Sequence, residues 1–212
     1  MKYLIIAIGL ITSSLFAQTD DKSKSILDNM SKEIKELNSF YLEFEMNVNN
    51  PTTGEDSKQT GHGYVKGDKY FATLGDNILI SNGQKNWTVV KEEKVTYQSN
   101  ADEDDEESIN PKKLMTIWET GFKSKYTKEE TLNGKKVHVI NLYPTDPEEV
   151  SYHTIILYIQ VNNSELQKAI MKTKDGSTMT YSVNKFEKNK EVEDSKFVYN
   201  PQKYPGFKLI RD

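Results

Sequence analysis

Residues 61–97 read GHGYVKGDKYFATLGDNILISNGQKNWTVVKEEKVTY. Three dipeptides cut this stretch at short intervals: Gly67-Asp68, Gly75-Asp76 and Asn82-Gly83. Glycine and asparagine tolerate positive φ, so these pairs punctuate strands rather than helices. Between them stand Tyr64 and Val65, Tyr70 and Phe71, Ile78 to Ile80, and Trp87 with Val89. Such β-branched and aromatic side chains suit a pleated, half-buried surface. The spacing predicts four short strands in a meander, building a wide, curved antiparallel sheet with one apolar face.

Upstream, the segment 40–48 (FYLEFEMNV) has an apolar residue at every even position. A period of two over that length predicts a strand with one dry and one wet face. Before it, Ile26, Leu27, Met30, Ile34 and Leu37 fall on one helical stripe, which predicts a helix over 22–37. Downstream of the meander, residues 102–107 read DEDDEE, a solvated acidic loop. A calcium loop needs spaced ligands and a turn glycine, and this run has neither. Asn110-Pro111 opens a short helix carrying Leu114, Met115, Ile117 and Trp118. Four large apolar side chains in five positions cannot all face one side. Five further strand patterns follow, over 122–131, 137–143, 153–162, 166–174 and 178–186, and the tail reads FVYNP at 197–201. The count is about eleven strands and two helices, with strands pairing in sequence order and a helix against the hollow side.

Composition narrows the chemistry. The 28 Lys+Arg and 32 Asp+Glu give a formal net charge of −4, which supplies no basic face for nucleic acid. Arg211 is the sole arginine, so planar, bidentate anion recognition is nearly excluded. With no cysteine there is no disulfide, no thiolate nucleophile, no cysteine-bound zinc and no cysteine-linked lipid anchor. Residues 1–17 combine Lys2, a short apolar run and Ala17, the pattern of a cleavable signal peptide too short to span a bilayer. One exported, soluble domain over 18–212 is expected. His62, His138 and His153 lack a ligand partner at metal spacing, and no nucleophile elbow occurs. Gly61-x-Gly63 has no strand-to-helix context for a phosphate loop. No catalytic residue, metal or cofactor is expected.

Several short motifs occur together in order: Ser39-Phe40-Tyr41-Leu42-Glu43-Phe44, then Gly61-x-Gly63-Tyr64-Val65 with Lys69-Tyr70-Phe71, then Ser81-Asn82-Gly83-x-x-x-Trp87. Leu142-Tyr143-Pro144, Asp175-Gly176 and Phe197-Val198-Tyr199-Asn200-Pro201 complete the series. This order resembles the periplasmic outer-membrane lipoprotein carrier family, LolA. The resemblance implies a mainly β (α+β) fold, an unclosed antiparallel β-barrel with helices covering the concave face as a lid. It implies a periplasmic, monomeric chaperone that takes acylated lipoproteins from an inner-membrane ABC-type releasing complex and carries them to an outer-membrane acceptor. Family members latch the lid with an arginine just after the G-x-G strand. Here Lys66 or Gly67 falls at that place, so Lys66 is the latch candidate.

The expected acyl-chain pocket draws Ile26, Met30 and Ile34 from the first helix and Phe44 and Met46 from the first strand. Tyr70, Leu74, Ile80 and Trp87 join from the meander, and Leu114, Met115, Ile117 and Trp118 from the short helix. Two alternatives stand beside lipoprotein carriage. One is a carrier of another lipid or acyl product on the same fold. The other is a non-catalytic sensor or adaptor domain.

Overall fold

The computed structural model describes residues 20–101 and 116–211. The chain enters through α1 (Asp21–Lys35), with Asp20 as its N-cap. A first meander follows: β1 (Ser39–Asn50), β2 (Glu55–Lys66), β3 (Lys69–Leu74), β4 (Asn77–Ser81), β5 (Lys85–Val90) and β6 (Val95–Asn100). A 3-10 turn at Ile117–Glu119 leads to a second: β7 (Phe122–Leu132), β8 (Lys135–Pro144), β9 (Tyr152–Gln160), β10 (Leu166–Thr173) and β11 (Thr178–Lys188). The tail makes 3-10 turns at Asp194–Phe197 and Pro201–Lys203 and ends in β12 (Lys208–Arg211).

All strands share one open, 12-stranded sheet in the order β12-β6-β5-β4-β3-β2-β1-β11-β10-β9-β8-β7. Within each meander, neighbours in sequence are neighbours in space, as short connections favour, with two-residue turns at 67–68, 75–76 and 133–134. Gly67, Gly75 and Gly83 take φ of 58°, 55° and 85°, values that a Cβ would oppose. Two pairings cross the sequence order. β1 pairs with β11 as well as β2, and β12 runs parallel to β6.

Each face has its own core. On the inner face, Leu27 and Met30 of α1 meet Phe40, Leu42, Phe44 and Met46 of β1 in a cluster that extends to Ile140, Leu142 and Leu157. On the outer face, Ile78, Ile80, Trp87 and Val89 are covered by Tyr199, Tyr204, Phe207 and Leu209 of the tail.

Several expectations are corrected. The stretch 61–97 enters five strands, because Val95 already begins β6. The sheet has twelve strands rather than eleven, and one of its pairings is parallel. Among the described residues there is one α-helix, ending at Lys35 instead of residue 37, and the Trp118 segment is a 3-10 turn. The segments 1–17 and 102–107, with Leu114 and Met115, lie outside the described residues.

Gly61 sits opposite Phe44 across the β1–β2 pair. A Cβ there would overlap the Thr73 carbonyl oxygen and stand 2.5 Å from the Phe44 ring, whereas at Gly63 the nearest atom is 3.5 Å away. Gly61→Ala is therefore expected to cost about 1–3 kcal/mol in urea unfolding, and Gly63→Ala less than about 1 kcal/mol. Equal costs would show that the Phe44 ring does not depend on the glycine.

Candidate functional site

The helix-covered inner face gathers the apolar residues that have no role in the turns. Leu27 and Met30, three residues apart, fall on one side of α1 and are 5% and 0% exposed. Ile26, Ile34 and Leu37 pack at the margin of the same cluster. The alternation of β1 sends Phe40, Leu42, Phe44 and Met46 to this face, and Tyr70 and Leu74 arrive from β3. Trp118 is buried here, and its indole N–H donates to Ser31 Oγ at 2.8 Å.

Polar contacts fasten α1 at its two ends. At the start, Asp20 Oδ1 accepts the Ser23 amide hydrogen at 2.6 Å and Oδ2 accepts that of Tyr126 at 2.5 Å. The Asp20 amide donates to the Ser124 carbonyl at 3.2 Å. β7 is the last strand of the sheet, so its outward backbone groups have no further strand to meet. Asp20 supplies that missing partner and caps the helix with the same carboxylate. Ser23 Oγ and Ser124 Oγ share a buried hydrogen bond of 2.7 Å, and Lys22 Nζ lies 3.6 Å from the Tyr126 ring centroid. At the far end, Lys35 pairs with Glu119 at 2.8 Å and Lys188 with Glu33 at 3.1 Å. These later pairs are solvated and each is worth less than about 1 kcal/mol.

Between α1 and the 118–124 segment runs a groove of about 690 Å³, floored by Leu27, Trp118 and Phe122 and rimmed by Lys24, Ser31, Lys35 and Glu119. Beneath the helix, Met30, Ile140 and Leu142 are fully buried against one another. Among the described residues this groove lies along the flank of α1.

Of the residues expected in the pocket, Met30, Phe44, Met46, Tyr70, Leu74 and Trp118 share one cluster, with Ile26 and Ile34 on its margin. Ile117 opens the 3-10 turn. Ile80 and Trp87 do not join them. Ile80 pairs with Phe71 and with Trp87, so parity across the register puts all three on the outer face. Lys66 is also displaced from its expected role. It alternates with inward-facing Val65, and its ammonium pairs with Asp194 of the tail at 2.9 Å. The sequence reading missed Ile140, Leu142, Ile155, Leu157 and Ile159, which complete the inner cluster. For Ile155, Leu157 and Ile159 the signal was present as strict alternation in β9, whereas in β8 buried Val139 beside Ile140 obscures it. Among the described residues no group of three His, Asp or Glu is placed to hold a metal ion.

Burial would raise the Asp20 carboxyl, but the amide hydrogens of Ser23 and Tyr126 outweigh it and hold the group below its ordinary 3.8. A lowered carboxylate stabilises the folded state above the ordinary value, and that contribution is lost as pH falls through the folded value. Helix docking is thus expected to be insensitive to pH from 7 down to about 4 and to weaken below it. Asp20→Ala should cost about 1–2 kcal/mol at neutral pH and flatten the acid limb of a denaturation profile. An unchanged acid limb in the variant would assign that limb to other carboxylates.

No curated protein matches the chain closely enough to count as a relative. Among solved structures, an uncharacterized conserved protein from Thermus thermophilus superposes with a TM-score of 0.59 at 10% identity, covering 91% of this chain and 100% of that one. A LolA superfamily protein from Nitrosomonas europaea gives 0.45 at 13% identity, covering 83% and 97%. A putative outer membrane lipoprotein-sorting protein domain from Vibrio parahaemolyticus gives 0.44 at 12%, covering 82% and 97%. Only the first superposition is close enough to speak for the fold. The family model of the outer membrane lipoprotein carrier protein LolA matches residues 72–200, from β3 through the aromatic tail. With its open sheet and a helix against the inner face, the chain belongs to the LolA family of outer membrane lipoprotein carrier proteins.

Proposed function

We propose that this protein is a non-catalytic periplasmic chaperone that shelters the acyl chains of lipoproteins on its inner face and carries them from the inner to the outer membrane. The observation that carries this reading is the contrast between the helix-covered cluster and its fastening. The cluster is predominantly apolar, and α1, which adds Leu27 and Met30 to it, is fastened by polar contacts at its two ends and one indole hydrogen bond.

Magnitudes favour displacement of the helix by cargo. Burying Leu27 and Met30 contributes about 1.5–3 kcal/mol each. An acyl chain of about sixteen carbons gains on the order of 12 kcal/mol on leaving water, at about 0.8 kcal/mol per CH₂. The chain can therefore take the place of α1 and Trp118 against β1, β8 and β9, and the flank groove is where its end would enter. In this scheme the described conformation is the empty, closed one. The partners follow from the cargo: acylated lipoproteins, an inner-membrane ABC-type releasing complex and an outer-membrane acceptor. With no cysteine in the chain, an exported protein would be free of mispairing in an oxidising compartment.

Two experiments test this. Protein purified gently from its native periplasm is expected to carry acylated protein detectable by mass spectrometry. Recovery with a free lipid instead would favour a carrier of another acyl product, and recovery with neither would count against both. The second uses the missing cysteines. Ser23 and Ser124 touch through their hydroxyls, so Ser23→Cys with Ser124→Cys should form one disulfide tying α1 to β7. The oxidised form is expected to lose uptake of an acylated peptide and the reduced form to regain it. Uptake by the oxidised form would show that the helix need not move.

A further inference from the structure

The outer face carries different side chains on the two meanders. On the first, the tail packs over Ile78, Ile80, Trp87 and Val89. On the second, parity with inward-facing Ile140, Leu157 and Ala169 turns a separate set outward. Lys123, Lys125 and Lys128 line it along β7, and Lys168 and Lys172 along β10. Between these two columns stand part-exposed Ile156 and Tyr158 of β9, and Ile170 lies between the two β10 lysines. One rung of the sheet runs Lys128, Val139, Tyr158, Lys168, and the next runs Lys125, Asn141, Ile156, Ile170. An apolar centre is thus framed by cations on two sides.

Elsewhere on the molecule lysines are matched by acids: Lys24 by Asp28, Lys58 by Glu45 and Lys185 by Glu187. On the outer face of β7–β10, five lysines meet a single described carboxylate, Glu130, which Lys128 already holds. Lys168 Nζ lies 4.0 Å from the Tyr158 ring centroid and keeps its charge. Lys125 and Lys172 make no ion pair among the described residues, although Lys125 helps to hold the Asp20 carboxyl low. The acids at the borders do not cancel this surplus. Glu45 continues the Lys168 rung beyond Ser182 and is paired with Lys58 at 2.7 Å, and Glu148 and Glu149 lie past the strand ends in the 147–149 turn. The chain as a whole is −4, so the cations are gathered here against its average. Lysine on an edge strand guards against strand addition, which accounts for β7, but β10 is an interior strand.

We propose that the outer face of β7–β10 docks the protein on an anionic lipid bilayer. The lysine ammoniums of both columns meet lipid phosphates, whose surface potential attracts each of them. Tyr158, Ile156 and Ile170 settle at the headgroup boundary, where amphipathic rings and lysine stems are both accommodated. A polar polyanion would answer the lysines and leave the apolar centre unused, which favours a bilayer over an acidic protein or a nucleic acid. The surface lies on the side of the sheet away from α1. It goes beyond acyl carriage on the inner face and needs no helix movement.

The test uses the chain from Gln18 onward, because the apolar run over 4–11 would itself enter lipid. Vesicles of phosphatidylcholine with about one third phosphatidylglycerol, at about 0.01 M salt, are expected to co-sediment the protein, and pure phosphatidylcholine is not. Lys168→Gln with Lys172→Gln should weaken this binding about twenty-fold, at about five-fold per lysine. Lys85→Gln with Lys91→Gln, two exposed lysines of the other meander, should change it less than about two-fold. The chain has no cysteine, so a polarity-sensitive dye on Ile170→Cys reports that position alone. It should shift to the blue on the anionic vesicles, and the same dye on Tyr97→Cys of β6 should not. The Ser23–Ser124 cross-linked variant should bind as the parent does. Failure of the parent to bind anionic vesicles overturns the proposal. Equal losses from the two lysine pairs would assign the attraction to overall charge, and loss on cross-linking would assign it to the inner face; either overturns it. So does a silent dye at position 170, or polyglutamate or single-stranded DNA binding as tightly as the vesicles, which would point to a polyanion partner.

Discussion

The pairing of β1 on both of its edges is the constraint on which the rest of the molecule depends. Its twelve residues run against β2 on one side and β11 on the other, and it is the seam between two meanders that are otherwise complete in themselves. Each meander alone would be a sheet with a bare apolar face. Joined at β1, they present a single surface, with Phe40, Leu42, Phe44 and Met46 near its middle, against which α1 packs. Gly61 shows how closely this seam is fitted, since the Phe44 ring lies where a side chain on β2 would be.

The two faces are closed by different chemistry. The tail is fixed to the outer face by stacked rings, Trp87 on Tyr199 on Tyr204, and by the Tyr199 hydroxyl. The helix is held on the inner face by the burial of Leu27 and Met30 and is fastened at its ends by hydrogen bonds and ion pairs. Aromatic stacking gives way only when the rings separate, whereas terminal hydrogen bonds can be exchanged for water one at a time.

Much of this was legible in the sequence. The turn pairs placed the hairpins, and the alternation of residues 40–48 placed the centre of the inner core before any coordinate. The face of β4 was not legible in the same way. Ile78, Leu79 and Ile80 are all buried, because the strand is covered on both sides, so no period of two survives to say which residue points where. Counting from the Gly75-Asp76 turn pairs Phe71 with Ile80, but the choice of face needs β1 as reference. Lys66 was misplaced for a simpler reason: it follows inward-facing Val65, and parity alone sends it to the tail. The long-range joins, β1 to β11 and β12 to β6, have no local signature, since they are set by burial of whole surfaces rather than by turn chemistry.

An open sheet leaves two strands without a neighbour, and both are blunted here. β12 offers only four residues. β7 is interrupted by a register shift between Tyr126 and Lys128, and Asp20 already occupies the Tyr126 amide. Backbone-to-backbone addition of a second molecule therefore finds little to grip at either margin. In the carrier scheme proposed above, a bared inner face would invite growth into fibrils, and these two guarded rims oppose it.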